Sequence, residues 1–165
     1  MRFEHRFRVK ASLAEVADFH SRSSNMPKLS PPPLIVRMRR APELLAAGDE
    51  MEFTLWAGPI PIRWIARIED ASPSGFVDRQ EVGPFASWRH RHVFARVTDD
   101  TTEVLDQVEA SLRRHWWWGP VGLAMWAGPP VLRVYQEWKT RQLLEGSRLL
   151  SGETKSQEKS LIHRV

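Results

Sequence analysis

Seven short segments with the residue pattern of β-strands, joined by turns of a few residues, constrain the fold of this chain more than any other feature. In the first segment, Phe3, His5 and Phe7 alternate with charged residues, and a period of two predicts a strand with one buried face. Further strands are predicted at 34–39, 50–57, 60–69, 75–81, 86–97 and 102–113. The connections between the later segments are too short for crossover helices, so consecutive strands should pair as antiparallel hairpins. The sequence therefore predicts a meandering antiparallel sheet.

Helices are predicted in two places along the chain: after the first strand and after the last strand. Ser12, followed three residues later by Glu15, forms a capping box at the start of a short helix. Four prolines between residues 26 and 33 indicate a turn or an irregular second helix. Apolar residues at helical spacing predict one long helix from Pro130 to about Leu150 that covers the sheet: Val131, Val134, Tyr135, Trp138, Leu143 and Leu144. The fold class is therefore α+β.

The length of the chain, 165 residues and 19.1 kDa, fits one domain with its own core. We assign residues 1–150 to this domain and residues 151–165, which are mostly polar, to a flexible tail. The chain has no cysteine, which excludes a disulfide framework, a thiolate metal site and a cysteine nucleophile. The lack of cysteine also fits a reducing compartment, and we expect a cytoplasmic protein.

Charge and hydropathy limit the partners. The net charge is only +4, and the cationic residues are spread along the chain among acidic ones, so no nucleic-acid partner is expected. The N-terminus has no uninterrupted apolar run of the kind found in export signals. The most apolar stretch, 116–134, is interrupted by glycines and prolines, so no stable membrane insertion is expected, although contact of its tryptophans with a membrane surface stays open. The oligomeric state is not indicated.

The register of the predicted hairpins decides which side chains share a face of the sheet. Turns near 83–84 and 99–100 place Asp78 opposite His90 and His92 opposite Asp106. The same procedure places Gln80 opposite Trp88, and a turn near Ser72 places Trp64 beside Gln80. One face then collects the candidate ligand-binding residues Trp64, Asp78, Gln80, Trp88, His90, His92 and Asp106. The opposite face is rich in arginine and glutamate and should face solvent.

Two carboxylates and two imidazoles on an otherwise apolar face are costly to bury unless they pair with one another or with a guest. Cross-strand His–Asp pairs are therefore predicted, in which the carboxylate raises the pKa of the histidine while burial lowers it. Such a network can fix strand register, orient a ligand or perform acid–base chemistry, with His90, His92 and Asp106 as the catalytic candidates. Two histidines at alternate positions could also bind a metal, but a third ligand is required, and we predict no metal.

The central run resembles a known superfamily. Its pattern is Phe76-x-Asp78-x-Gln80-x-x-Gly83-Pro84-Phe85-x-x-Trp88-x-His90-x-His92-x-Phe94, followed by Thr102, Asp106 and, late in the final helix, Arg141. This pattern is similar to the bacterial ligand-binding branch of the SRPBCC superfamily, which includes START domains and aromatic polyketide cyclases. The resemblance implies a helix-grip fold, in which a curved antiparallel sheet wraps around a long C-terminal helix, with two short helices after the first strand and a hydrophobic cavity. The chain departs from the pattern at Trp116–Trp118 and 128–130.

Three functions are compatible with these patterns. The first is binding of a hydrophobic or aromatic small molecule, with the polar residues of the inner face holding its polar end. The second is a cyclase or dehydratase in which a His–Asp pair removes a proton next to a carbonyl. The third is a carrier that touches a membrane or another protein through its tryptophan-rich segment. No cofactor is predicted, because the sequence contains no phosphate loop or dinucleotide fingerprint.

Overall fold

In the computed structural model, which describes the backbone of residues 1–162 and the side chains of residues 1–146, seven strands form one antiparallel sheet. The strands are β1 (Arg2–Val9), β2 (Leu34–Arg40), β3 (Glu50–Ala57), β4 (Ile60–Ser72), β5 (Gly75–Val82), β6 (Phe85–Arg96) and β7 (Thr102–Leu112). The helices are α1 (Leu13–Ser21), a 3-10 helix (Ser23–Leu29), α2 (Trp118–Trp126) and α3 (Pro129–Ile162). The predicted α+β helix-grip fold is confirmed.

The sheet order explains how distant parts of the chain meet. Strands β2 to β7 follow one another as the predicted meander, and β1 returns to pair with β7, so the order is β1-β7-β6-β5-β4-β3-β2. The two short helices predicted after the first strand are present. The first, α1, begins at the predicted capping box, in which the Ser12 amide donates to Glu15 Oε2 at 2.7 Å.

Most of the predicted register around the polar residues is correct. Asp78 pairs with His90, and His92 pairs with Asp106. The pairing of Trp64 with Gln80 is wrong, because Gln80 lies opposite Ala66. The β4–β5 hairpin turns between Ser72 and Gly75, and a register shift follows in β4. Together they move the partner of Gln80 two residues along β4 from the predicted position. Side chains two residues apart on a strand point to the same face of the sheet, so this error does not change which of the predicted residues lie on the inner face.

The predicted pair Gln80–Trp88 also differs from the structure. Pairing of β5 with β6 runs from Gly75 opposite Val93 to Arg79 opposite Arg89 and stops there. Beyond that point Gln80 bonds to the turn instead of facing a ladder partner. The backbone pairing between β5 and β6 therefore ends before the turn, next to the cavity described below.

Gly75 begins β5 in a conformation that only glycine adopts readily. Its φ is +138°, and a Cβ at this position would collide with the carbonyl oxygen of His92. The missing side chain thus lets the backbone of β6 approach closely at the residue that carries one of the candidate imidazoles.

Helix α3 is held along β1 by polar contacts. His5 Nε2 lies 2.8 Å from Glu137 Oε2, and Arg141 Nε donates to the carbonyl oxygen of Arg8 at 2.9 Å. The helix continues to Ile162, well past the predicted end at Leu150, so the backbone of 151–162 is helical. The flexibility of the predicted tail and the boundary at residue 150 stay predictions, and residues 163–165 lie outside the described residues.

The apolar residues that predicted the long helix do not all cover the sheet. Val131 is 70% exposed, Val134 61% and Trp138 53%. The side chains of the same helix that face inward are Leu132, Arg133, Gln136 and Thr140. The expectation of an apolar inner face is therefore wrong for the first half of α3, because that half lies over a polar cluster and not over a packed core.

Candidate functional site

A cavity of about 290 Å³ lies between the sheet, the 3-10 helix and the first half of α3. Most of its wall is apolar or aromatic. The apolar side chains at its wall include Phe19, Met26, Leu29, Val36, Met51, Phe53, Trp64, Phe76, Phe85, Trp88, Met125 and Leu132. The polar residues of the inner face reach the same cavity through Asp78, His90, His92 and Asp106. The cavity therefore has an apolar body and one polar wall, as small-molecule sites usually have.

The polar wall is a cluster of two histidines between two aspartates. His90 Nδ1 lies 3.3 Å from Asp78 Oδ2, and His90 Nε2 lies 3.4 Å from Asp106 Oδ1. His92 Nδ1 lies 2.6 Å from the same Asp106 oxygen. The two imidazole rings are 3.8 Å apart at their centroids. This arrangement follows from the sheet, because alternate residues of β6 point to one face and each has its carboxylate on a neighbouring strand.

Several buried polar atoms of this cluster have no hydrogen-bond partner among the described residues. The short His92–Asp106 approach does not have the angles of a hydrogen bond, and neither does the longer His90–Asp106 approach. The unpartnered atoms are His20 Nε2, His90 Nε2, His92 Nδ1, Asp106 Oδ1, Arg133 Nε and Thr140 Oγ1. All of them belong to residues at the cavity wall. Of these, His90 Nε2 and His92 Nδ1 still form ion-pair contacts with Asp106 Oδ1. Buried polar groups normally find a hydrogen-bond partner, so His20 Nε2, Arg133 Nε and Thr140 Oγ1 leave hydrogen-bonding capacity unused at the cavity wall among the described residues.

Arg133 brings a positive charge to the cluster from α3. It is only 4% exposed, and its Nη1 lies 3.7 Å from Asp106 Oδ2. The same Nη1 donates to Gln136 Oε1 one turn further along the helix. The positive charge of Arg133 thus compensates one of the two buried carboxylates. A proton on one of the two histidines would compensate the negative charge of the second carboxylate.

The two central histidines have pKa values that move in opposite directions. Burial lowers the pKa of both, and the charge of Arg133 adds to this effect at His90. At His90 the carboxylates of Asp106 and Asp78 outweigh these effects, so its pKa is raised. At His92 burial and the neighbouring His90 outweigh Asp106, so its pKa is lowered. The direction of the pKa shift, which the sequence left open, therefore differs between the two rings. His90 holds a proton at higher pH than His92.

Two further groups complete the electrostatics. Burial lowers the pKa of His20 to about 3, so this ring is neutral at physiological pH. Burial alone would raise the pKa of Asp106, but Arg133 and the two histidines hold it well below its usual range. The cluster at neutral pH thus contains an ionised aspartate beside a buried arginine.

The structure brings six of the seven predicted ligand-binding residues together at the cavity wall. Trp64 and Trp88 contact each other there edge to face, with ring centroids 5.5 Å apart. Gln80 is buried but does not belong to the wall. Its Nε2 donates to the carbonyl oxygen of Phe85 at 2.9 Å, and its Oε1 accepts from the Phe85 amide at 3.3 Å. Gln80 therefore closes the β5–β6 turn, and both ends of its side-chain amide serve that turn.

Among the cavity-wall residues that were not predicted from the sequence, three carry buried polar atoms next to the His–Asp cluster: Arg133, His20 and Thr140. A signal for Arg133 was present, because residues 129, 132, 133, 136 and 140 follow helical spacing and share the inner face of α3. That face is more polar than the opposite one, so hydropathy favoured the wrong side of the helix. Arg141, which belongs to the family pattern, does not line the cavity and anchors the helix to β1.

Asp78, His90 and His92 could hold a metal ion, since one ligand atom from each lies within 4.8 Å of the others. Two histidines and a carboxylate are a common ligand set for divalent transition metals. The buried guanidinium of Arg133 lies next to Asp106 at the same cluster and opposes a second positive charge there. The predicted absence of a metal stays a prediction.

No family model matches this sequence, and no curated protein matches it. Solved structures do share its fold. The Zhui aromatase/cyclase from Streptomyces sp. R1128 aligns with a TM-score of 0.65 at 13% identity, over 87% of this chain and 95% of that one. A START superfamily protein from Mycobacterium smegmatis aligns with a TM-score of 0.65 at 12% identity, over 88% and 97%.

A third structure is norcoclaurine synthase from Thalictrum flavum, in complex with dopamine and hydroxybenzaldehyde, with a TM-score of 0.63 at 12% identity over 87% of this chain and 86% of that one. These identities are low, so the likeness is one of fold. The chain thus has the helix-grip fold that the resemblance implied. Within the described residues, no helix has the length and hydropathy needed to cross a membrane.

Proposed function

We propose that this protein binds a small apolar or aromatic molecule in the cavity between the sheet and α3. The observation that carries the proposal is the meeting of an apolar chamber with unpartnered buried polar atoms at one wall. An empty cavity that is only apolar needs no guest, but buried donors and acceptors without partners are unfavourable unless a water or a ligand satisfies them. A guest with an apolar body and one polar end would satisfy both parts of the site.

The size of the cavity limits the guest. An apolar cavity of about 150 Å³ is sufficient for benzene, and this one measures about 290 Å³. A molecule of one or two rings therefore fits, whereas a long acyl chain would have to extend through the mouth. Trp64, Trp88 and Phe53 supply flat surfaces that favour an aromatic guest.

Native mass spectrometry of the purified protein, followed by solvent extraction, tests this proposal for a natural guest. Titration with 2-naphthol, followed by tryptophan fluorescence, tests it with a defined probe. We expect saturable quenching that is weakened at least about tenfold in Arg133→Met, because the polar wall would lose its donor. The matched control is Arg96→Met, on the exposed end of β6. Absence of any guest together with absence of saturable quenching would contradict the proposal.

A second candidate function is acid–base catalysis of the cyclase or dehydratase type. The observation that favours it is the separation of the two histidine pKa values, which favours the proton on His90 over His92, with the two rings 3.8 Å apart. In this scheme, neutral His92 takes a proton from the carbon next to a carbonyl, and the electron pair moves to the carbonyl oxygen. Protonated His90 donates to that oxygen, and Asp106 stabilises the imidazolium formed at His92.

Hydrogen–deuterium exchange of 2-tetralone in D₂O, followed by NMR, tests this step without knowledge of the natural substrate. We expect exchange at the carbon next to the carbonyl above the buffer rate, lost at least about a hundredfold in His92→Gln. The Arg96→Met variant should exchange like the wild type. Exchange that never exceeds the buffer rate in a protein that binds the ketone would contradict catalysis and leave binding intact.

A further inference from the structure

A set of large apolar side chains is exposed on the surface near α2 and the first half of α3. The exposed fractions are 81% for Trp116, 47% for Trp117, 58% for Leu123, 70% for Val131, 61% for Val134 and 53% for Trp138. We call these six residues the tryptophan rim. Val131, Val134 and Trp138 follow helical spacing and lie on one face of α3. Exposed apolar residues in such density are unusual on a protein surface and mark an interaction site.

The charge of this segment is as unusual as its hydropathy. Residues 110–136 contain four tryptophans and no aspartate or glutamate, although 20 acids in 165 residues would give about three in a stretch of this length. Arg113 and Arg114 are exposed next to the rim, and Lys139 lies 5.1 Å from the ring centre of Trp138. The rim is therefore bordered by cations.

The rim also lies next to residues of the cavity wall. Met125, Gly128 and Pro129 lie between Leu123 and Val131 in the chain and line the cavity, and so does Leu132, which follows Val131. The residues of the rim itself do not line it. A partner on the rim would thus lie beside the cavity wall without filling the chamber.

We propose that the tryptophan rim docks onto the surface of a bilayer that contains anionic lipid. Indole rings prefer the level of the lipid headgroups, and Leu123, Val131 and Val134 would reach the start of the acyl chains. Arg113, Arg114 and Lys139 match the negative potential of such a surface. Within the described residues no helix has the length and hydropathy to cross the bilayer, and in this proposal the protein lies on the surface of the membrane through its rim.

A second copy of the chain fits the rim less well. A twofold interface would bring the same patch from both protomers together, and so would bring two sets of bordering cations, Arg113, Arg114 and Lys139, into one interface. Residues 110–136 contain no acid, and the acid nearest to Lys139 along the chain, Glu137, is paired with His5 and Arg141. The charge of the rim therefore favours an anionic surface over self-association.

Vesicle flotation with the full chain tests the proposal. The vesicles contain phosphatidylcholine alone, or phosphatidylcholine and phosphatidylglycerol in equal parts. We expect flotation with the anionic vesicles only, weakened by salt, reduced at least about tenfold in the double variant Trp116→Ser/Val131→Ser and about fivefold in Arg114→Glu. The matched control is Ile35→Ser, which removes an apolar side chain that is 59% exposed on β2.

Circular dichroism and 2-naphthol titration of each variant separate this proposal from the binding proposal. The rim variants should keep the wild-type fold and quenching curve, since their side chains do not line the cavity. The proposal is overturned if wild type does not float with anionic vesicles, or if Ile35→Ser reduces flotation as much as the rim variant does. It is also overturned if the rim variants abolish a dimer that light scattering detects without lipid, because a second copy would then be the occupant.

Discussion

The two ends of the interior differ in how they are filled. Near α1 the inner face is a packed core of Phe7, Val9, Ala11, Val16, Phe94 and Val104, and Leu144 of α3 packs against it. Near the 3-10 helix the same sheet and the same helix enclose the cavity with its His–Asp–Arg wall. We call these regions the packed end and the hollow end. The contrast shows that one helix can close a core conventionally at one end and, about three turns away, present polar groups inward and apolar groups outward.

The largest expected effect comes from removing a large side chain at each end. Phe94→Ala, at the packed end, should lower the free energy of unfolding by about 3–5 kcal/mol, since Phe94 is 3% exposed and belongs to the core shared by α1 and β7. Phe53→Ala, at the hollow end, should lower it by less, because the cavity already borders that ring. Urea denaturation of both variants checks this. An equal or larger loss at Phe53 would contradict the distinction between the ends.

A somewhat smaller loss is expected when the charge balance of the hollow end is broken. Asp106→Asn removes the carboxylate next to buried Arg133 and should lower the free energy of unfolding by about 3 kcal/mol. The double variant Asp106→Asn/Arg133→Met should recover part of this loss, because the unpaired charge is gone. A double-mutant cycle measures the coupling. Additive losses would show that the two side chains do not act as a pair.

The next effect concerns pH. His20 has its pKa lowered to about 3 by burial, so its contribution to stability is present above about 6.5 and is lost as the pH falls from there toward 3, with a slope of up to about 1.4 kcal/mol per pH unit. His92, whose pKa is also lowered, acts in the same direction. His90, whose pKa is raised, contributes stability that is lost as the pH rises, and so opposes them in part.

Thermal melts between about pH 7 and pH 4 check this prediction. The melting temperature of the wild type should fall with pH, and that of His20→Phe should fall less steeply. His115→Phe is the control, since His115 is exposed. Parallel curves for wild type and His20→Phe would show that His20 does not carry the acid sensitivity.

The smallest effect is expected at the surface of the packed end. Arg141→Ala removes the bond to the Arg8 carbonyl and a partly exposed ion pair with Glu137 at 2.9 Å, and should lower the free energy of unfolding by about 1 kcal/mol or less. Ligand binding should be unchanged, because Arg141 does not line the cavity. A large loss of 2-naphthol binding in this variant would assign Arg141 to the site after all.

The difference between the ends also explains which features could be predicted from the sequence. Alternation along β6 and short turns were enough to place His90, His92, Asp78 and Asp106 on one face, because a strand repeats every two residues. Turn and bulge geometry near Ser72 depends on local backbone conformation, so the partner of Gln80 was misplaced. The inner face of α3 could not be found from hydropathy, since a helix over a polar wall need not show its apolar side to the sheet.

NMR of the histidine ring nitrogens during titration with 2-naphthol decides whether a guest uses the polar wall. His90 and His92 lie at that wall, whereas His5 bonds to Glu137 and His115 lies at the surface. If a guest occupies the hollow end, the nitrogen signals of His90 and His92 should shift with saturation while those of His5 and His115 stay fixed. Saturable binding that leaves His90 and His92 unchanged, or that moves all four rings alike, would contradict ligand binding at this wall.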